Sequence, residues 1–488
     1  MKLLVRADAS PRIGTGHVMR CLSLVQGLRP SDGAAMLVAA EITAALEPRL
    51  QFANVGLTRL NVKAGSPADA EQTVKIAREI NASWIVVDGY QFGAEYQRQL
   101  KDAGFRVLFA DDYGHAKNYS ADLVLNQNLH ANAGAYVQRE AGTRLLLGNR
   151  YTLLRREFQK LKDGPRKIPA RASRVLVTLG GADPDNVTSK IIKALSTLPG
   201  VEAVVVVGGS NSHLPELRTL IAHSPTPIEL VVDAQNMPTL MQHADVAIAA
   251  GGTTSWELAF MGLPTLMLVL ADNQREVADG LSAAQVVRKT KPETIAKDLA
   301  ELLADAGARK RMSERGRQLV DGLGASRVVT AMRAGELTVR RVQPDDCRQI
   351  WEWSNDPEVR AVSLSKDSIP WETHVKWFSA RVNSPTCFFY VGSDHETLIG
   401  QIRFDLKDAE ATLSISLSKE ARGHGYGPAL IVRGSQQLFA DSDATLIRAY
   451  VNPENTVSLR AFEKAGYAPA ETTLVQGKSL RQFVLERN

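Results

Sequence analysis

The residues that could do chemistry in this 488-residue chain gather where apolar runs stop. Leu3–Ala7 is followed by Asp8-Ala9-Ser10 and then by Gly14-Thr15-Gly16-His17, which opens an amphipathic helical stretch reaching Leu28. A histidine at a helix start feels the positive end of the peptide dipoles, which disfavours the imidazolium. A neutral imidazole facing a ligand is a competent general base near neutral pH. Asp8, Asp88, Asp111 and Asp112 also stand at run ends, where carboxylates cap helices, anchor loops or hold a divalent cation. No second ligand cluster accompanies them, so no metal is expected.

The same punctuation recurs in Leu179-Gly180-Gly181, Val207-Gly208-Gly209, Ala250-Gly251-Gly252-Thr253-Thr254 and Leu270-Ala271-Asp272-Asn273-Gln274. Glycine lets a ligand approach the backbone, and helix N-terminal N–H groups hold phosphate. Glu257 falls one helical turn beyond Thr253, on the same face. A carboxylate there can accept both hydroxyls of a ribose while Thr253, Thr254 and the helix start hold a diphosphate. Its apolar neighbours Trp256, Leu258, Ala259 and Phe260 argue against a merely solvated side chain. A third concentration, Arg422-Gly423-His424-Gly425-Tyr426-Gly427, lies between the run Ala411–Leu417 and an apolar helix expected from Pro428. Successive backbone N–H groups backed by a helix dipole suit a second diphosphate.

These residues need strands to carry them. Candidates are Leu3–Ala7, Met36–Ala39, Trp84–Val87, Val107–Phe109 and Leu123–Leu125; the last four are bare of polar residues, which suits parallel strands covered on both faces. The rhythm restarts with Val175–Leu179, Ala203–Val207, Glu229–Val232, Val246–Ala250 and Thr265–Leu270. The charged segment 162–169, with two prolines, reads as a linker. Ligands bind outside the carboxyl ends of such strands, so the glycines belong at one cleft. After Ala334-Gly335-Glu336 the character changes to a tryptophan cluster (Trp351, Trp353, Trp371, Trp377) and to strands that read as antiparallel, Cys387–Val391, Leu398–Phe404 and Ala411–Leu417. The expected fold class is α/β: two Rossmann-like domains, residues 1–160 and 171–333, followed by an α+β domain over 336–488.

A hydrophobic content of 44% with 23% charged residues is that of a globular chain. The net charge of +5 is modest, and basic tracts such as Arg155-Arg156 and Arg309-Lys310-Arg311 read as solvated helix faces. Nucleic acid is therefore not an expected partner, whereas small polyanions are. With no apolar run long enough for a bilayer and no signal peptide, no membrane partner is expected. Cys21, Cys347 and Cys387 fit no metal or disulfide spacing, which favours a reduced, cytoplasmic setting.

Residues 1 to about 333 resemble the UDP-2,4-diacetamido-2,4,6-trideoxy-β-L-altropyranose hydrolases of pseudaminic acid biosynthesis, relatives of the MurG-type glycosyltransferases. The resemblance rests on 6–10 with Ile13-Gly14-Thr15-Gly16-His17-Val18-Met19-Arg20-Cys21, on Val87-Asp88-Gly89-Tyr90, Asp111-Asp112, Leu125-Asn126-Gln127-Asn128, Leu153-Leu154-Arg155-Arg156-Glu157-Phe158, Leu179-Gly180-Gly181-Ala182-Asp183 and Asn273-Gln274. It implies a GT-B arrangement with a nucleotide-sugar between two domains. His17 would activate water against the anomeric carbon, with UDP leaving, inversion and no metal. Tyr90, Asn273 and Gln274 would shape the sugar pocket, and Arg155 would reach the substrate from the interdomain segment.

Residues 336–488 resemble the GNAT acetyltransferases, on the 422–427 loop and on Asn452-Pro453-Glu454-Asn455 leading to Phe462-Glu463-Lys464-Ala465-Gly466-Tyr467. The likeness implies acetyl-CoA as cosubstrate. Leu417 would meet the pantetheine, Arg422, Gly423, His424, Gly425, Tyr426 and Gly427 the pyrophosphate, and Asn455 the coenzyme. Many family members carry a tyrosine seven residues after that asparagine to protonate the departing thiolate; this chain has Phe462. Ser458, Tyr450, Tyr467 or a water stay open as donors, and Glu352 or Glu372 as acceptor base. The joint expectation is an enzyme that acetylates the 4-amino group of a UDP-linked amino-sugar and then removes UDP. A glycosyltransferase fused to a protein N-acetyltransferase, and a non-catalytic nucleotide-sugar-binding regulator, are the alternatives.

Overall fold

The computed structural model describes all residues except 11, 29–32, 162, 163, 181, 182, 210, 364, 476 and 488. The chain divides into two compact units, Met1–Ala325 and Ser326–Asn488.

The first unit holds two parallel sheets. One comprises β1 (Leu3–Ala7), β2 (Ala35–Ala39), β3 (Val55–Arg59), β4 (Trp84–Asp88), β5 (Arg106–Ala110), β6 (Leu123–Asn126) and β7 (Arg144–Leu147), in the order β3-β2-β1-β4-β5-β6-β7. The five expected strands are its interior, where Leu4, Val87, Val107 and Phe109 are wholly buried. Each such side chain stabilises the fold by about 1.5–3 kcal/mol. Outside the expected set stand the half-exposed edge strands: β3 mixes Gly56, Thr58 and Arg59 into its run, and β7 is Arg144 with three leucines.

The other sheet comprises β8 (Arg174–Thr178), β9 (Glu202–Val207), β10 (Ile228–Val232), β11 (Val246–Ala250), β12 (Thr265–Leu268) and β13 (Val287–Lys289), ordered β10-β9-β8-β11-β12-β13. The strand order reverses beside the first strand of each sheet, between β1 and β4 and between β8 and β11. Such switch points open a crevice at the strand ends. They bring His17 toward Asp88 in one sheet and Gly180 toward Gly251 in the other.

One residue of each basic tract departs from the expected solvated face, while Arg156, Lys310 and Arg311 are exposed. Arg309 is fully buried, and its guanidinium donates to the carbonyls of Leu302 at 2.6 Å and Pro169 at 2.6 Å. Arg155 is also buried, at 5% exposure. Exposed carbonyls at a helix end and acids inside the cleft recruit these cations, which composition alone does not register.

The second unit is one seven-stranded sheet of β14 (Leu337–Arg341), β15 (Cys387–Asp394), β16 (Thr397–Lys407), β17 (Glu410–Leu417), β18 (Leu446–Val451), β19 (Ala468–Val475) and β20 (Lys478–Glu486), ordered β14-β15-β16-β17-β18-β20-β19. All its pairings are antiparallel except β17 with β18. One face packs Ile402, Phe404 and Leu413 against Leu430 and Leu438 of the helix Tyr426–Asp441. The other packs Phe389 and Val391 against Ile350 and Phe378 of the helices Cys347–Asn355 and Trp371–Val382. Among the described residues, no helix is long and apolar enough to cross a membrane.

Candidate functional sites

A cleft of roughly 1060 Å³ opens in the first unit, lined from both sheets. Gly14, Thr15, Gly16, His17, Tyr90, Arg155, Gly180, Gly251, Gly252, Thr253, Thr254, Glu257, Asn273 and Gln274 all border it. Gly181 lies outside the described residues. The walls come close: a Cβ added to Gly16 would lie 3.8 Å from the Thr253 hydroxyl. Gly180, at φ +98°, and Gly252 have no atom within 4 Å of such a Cβ, so open space meets the backbone there.

His17 occupies the first turn of the helix Gly16–Gly27, and its side chain is only 11% exposed. Its Nδ1 lies 2.7 Å from Oδ1 of Asp88 at the end of β4. A carboxylate accepts only, so Nδ1 carries the proton, and in the neutral ring Nε2 is then the nitrogen with the lone pair. Arg20, three residues on and on the same helix face, grips Asp88 through Nε at 2.8 Å and Nη2 at 2.7 Å. Arg20 also donates to Asp112 at 2.6 Å, and Tyr90 Oη donates to Asp112 at 2.9 Å. Burial pushes the Asp88 carboxyl up, but Arg20 and His17 overcome it and hold the group well below the usual carboxylate range. The Tyr90 hydroxyl is pushed up by burial and by Asp112, and its ring meets His17 edge-on at 5.0 Å.

The sequence reading treated the strand-end acids as caps, anchors or cation ligands. Asp8 and Asp111 are loop anchors, whereas Asp88 and Asp112 hold the His17–Arg20–Tyr90 network. Asp8 pairs with buried Arg6 at 2.7 Å and accepts from Ala40 N–H; Asp111 accepts from the N–H groups of Tyr113 and Gly114. Among the described residues, no group of three or more His, Cys, Asp or Glu side chains is arranged to hold a metal ion. Arg20, part of the 13–21 motif but given no role by the sequence, joins this network through its i+3 spacing from His17.

On the opposite wall, Glu257 is partly buried beside Arg155, whose Nε and Nη2 reach its Oε1 at 3.0 and 2.9 Å. Burial raises the Glu257 carboxyl even against that cation. Arg155 therefore braces Glu257 while bordering the cleft. Arg49, absent from the sequence reading, crosses from the first sheet to donate to the Ala234 carbonyl at 2.6 Å. Gln274 Oε1 accepts from Leu270 N–H at 3.0 Å, which folds the 272–274 turn toward the cleft.

In the second unit, the parallel ladder of β17 and β18 ends at Thr412↔Arg448. Leu413–Leu417 runs on beyond it and delivers Leu417 to the 422–427 loop. Gly423 and Gly425 take φ of +77° and +83°, which only glycine adopts cheaply. The helix begins at Tyr426, two residues before Pro428; the proline sits in the first turn, where its missing N–H costs nothing. Arg422 donates to Asp356 at 2.8 Å, to Glu358 at 3.0 Å and to the Leu417 carbonyl at 3.1 Å, so its guanidinium braces the loop. Tyr426 Oη bonds Asp394, and His424 is exposed. Asn455 Oδ1 accepts from Ser458 N–H at 3.0 Å, capping the helix Thr456–Ala465. Phe462 is core, stacked on Phe483 at 5.5 Å. Tyr467 is 2% exposed and bonded to Ser435 at 2.8 Å, which removes it from the exposed candidates for a proton donor.

The comparisons define two enzyme-domain classes. Residues 336–468 match the acetyltransferase (GNAT) domain family, and residues 174–323 match the glycosyltransferase family 28 C-terminal domain. Among individual relatives, the spore coat polysaccharide biosynthesis protein SpsG of Bacillus subtilis is 26% identical over 357 residues, 68% of this chain and 98% of that protein. The UDP-2,4-diacetamido-2,4,6-trideoxy-beta-L-altropyranose hydrolase of Campylobacter jejuni is 24% identical over 288 residues, 58% of this chain and 96% of that enzyme. Of solved structures, MurG of Acinetobacter baumannii aligns over 68% of this chain and 99% of its own, with TM-score 0.47 and 15% identity. Two parallel α/β sheets, with hydrolases among their relatives by sequence, are thus followed in the same chain by a region that matches the GNAT domain family.

Proposed function

We propose that the first unit hydrolyses a UDP-linked diacetamido sugar and that the second acetylates the amino group of its precursor with acetyl-CoA. The observation that carries the first half is the His17–Asp88 pair at the cleft. Nε2 of His17 takes a proton from water as the oxygen attacks the anomeric carbon. Asp88 stabilises the imidazolium that forms, as a buried carboxylate does in other base–orienter pairs. UDP leaves with the electron pair of the glycosidic bond, its charge met by backbone N–H groups of the glycine turns. A single displacement inverts the anomeric centre and needs no metal. Glu257 faces the ribose, and Tyr90 with Asn273 faces the sugar. The substrate is UDP-2,4-diacetamido-2,4,6-trideoxy-β-L-altropyranose, the compound named for the Campylobacter jejuni relative.

In the second half, the 422–427 loop holds the coenzyme pyrophosphate and the open edge of β17 pairs with the pantetheine amides. The acceptor is UDP-4-amino-4,6-dideoxy-N-acetyl-β-L-altrosamine, so the two reactions are consecutive. The test is incubation with that sugar and acetyl-CoA, followed by mass spectrometry. CoA appears first, then UDP and the inverted free sugar, in the presence of EDTA as in its absence. His17→Ala abolishes UDP release while leaving UDP binding nearly intact. Hydrolysis by that variant at the wild-type rate refutes the mechanism.

A further inference from the structure

The sheet face beneath the helices Cys347–Asn355 and Trp371–Val382 changes character from edge to centre. On β15 it is apolar, with Cys387, Phe389 and Val391 in the core. The register carries that face onto β16 as Asp405, Arg403 and Gln401 and onto β17 as Thr412, Ser414 and Ser416. Directly opposed residues of an antiparallel pair point to the same side. The reverse face of β17 keeps its apolar residues Leu413, Ile415 and Leu417 against the other core. A mid-sheet strand that is apolar on one face and hydroxylated on a helix-covered face has polar groups to spend on a ligand.

Gln401 makes this concrete. It is 6% exposed, its Nε2 donates to Ser416 Oγ at 2.9 Å, and its Oε1 has no partner among the described residues. Turning the amide over exchanges the two ends and leaves the nitrogen unpartnered instead. Leaving a buried amide end unpaired is costly, and a ligand removes that cost. Ser414 and Ser416 are only half-buried although they lie mid-strand, so there is room above them. Both sit on the stretch of β17 beyond the end of its ladder with β18, where the thioester belongs. At the margin, Arg403 and Arg381 share one carboxylate, Asp405, at 3.2 and 3.0 Å, and Arg403 lies 5.0 Å over the Trp377 ring. Two cations on one anion leave this end of the face positive.

We propose that Gln401, Ser414 and Ser416, with Arg403 at their margin, form the acceptor subsite, and that it selects a hydroxylated amine bearing an anionic diphosphate over a polycation. This rests on the acetyltransferase reading above. The uncharged amine nitrogen attacks the thioester carbonyl, the C–S bond breaks, and the proton lost by nitrogen ends on the CoA sulfur. The hydroxyls and amide hold the sugar, and the guanidinium faces the diphosphate.

The test uses the full chain and reads free CoA thiol, which the hydrolase reaction does not produce. Gln401→Ala and Ser416→Ala raise the KM for the UDP-linked 4-amino sugar about tenfold. The KM for acetyl-CoA stays within twofold, which also reports a folded coenzyme site. Arg403→Gln removes the preference for the UDP-linked amine over the same amino sugar without nucleotide, and Arg403→Lys restores part of it. An acceptor KM unchanged in all these variants overturns the subsite. A wild-type kcat/KM for spermidine above that for the UDP-linked amine overturns its selectivity. If the wild type binds acetyl-CoA but releases thiol with none of the amines, the acetyltransferase reading falls and the subsite with it.

Discussion

Replacing Asp88 by asparagine tests the hydrolase mechanism at its most constrained point. Oδ1 of Asp88 accepts from His17 and from Arg20 Nη2, both at 2.7 Å, and Oδ2 accepts from Arg20 Nε at 2.8 Å. Arg20 therefore occupies both oxygens. An asparagine must set its amide N–H against a guanidinium N–H whichever way it turns, losing one charge-assisted bond worth about 1.5–3 kcal/mol. If the amide nitrogen takes the Oδ1 position, it also drives His17 into the tautomer whose Nε2 carries the proton, which is no base. If the oxygen takes that position, the tautomer survives but the carboxylate charge that stabilises the imidazolium is gone. Both outcomes lower kcat by about 10²–10⁴-fold. The assay is UDP release at saturating substrate, with UDP affinity measured by calorimetry and expected within about twofold of wild type. In a His17→Ala background the same change costs little further, because the two residues act as a unit. A single variant that turns over within threefold of wild type while binding UDP normally refutes the reasoning.

Asp111 gives a pH prediction. Burial opposes its ionisation, but hydrogen bonds from His115 and Tyr119 pull its carboxyl down to about 2. Against an ordinary value near 3.9 this amounts to about 2–3 kcal/mol, present above pH 4 and lost as pH falls through 2. Asp111→Asn flattens that acid limb in a denaturation series monitored by circular dichroism. Gly251→Ala places a Cβ 2.9 Å from the Gln274 carbonyl, so the 272–274 turn shifts and the KM of hydrolysis rises about tenfold. Gly252→Ala meets no atom within 4 Å and melts like wild type, so its loss of UDP affinity reports backbone contact with the ligand. Arg422→Ala frees the 422–427 loop from Asp356 and Glu358 and raises the KM for acetyl-CoA about fivefold, read by thiol release. Phe462→Ala opens a cavity beside Tyr467 and Phe483 and destabilises the second unit by about 3–5 kcal/mol, seen as a lower melting midpoint.

Much of this protein is legible in one dimension. Strands covered on both faces announce themselves as largely apolar runs, which makes β1, β4, β5, β8, β9 and β11 readable, whereas the half-exposed edges β3, β7 and β13 are short or mixed with polar residues. Glycine turns, a histidine at a helix start and the 422–427 loop are local, because a diphosphate is held by consecutive backbone N–H groups. Partnership between distant side chains is not local. His17 and Asp88 are 71 residues apart and meet because β4 lies beside β1; Arg155 and Glu257 are separated by 102 residues and meet across the cleft. The polar character of Gln401, Ser414 and Ser416 was plain in the sequence, but their sharing one covered face depends on the β16–β17 register. The sequence by itself determined which residues can accept, donate or bind; only the tertiary structure decided which of them face each other. Burial and strand order set those pairings, and neither is a property of any short segment.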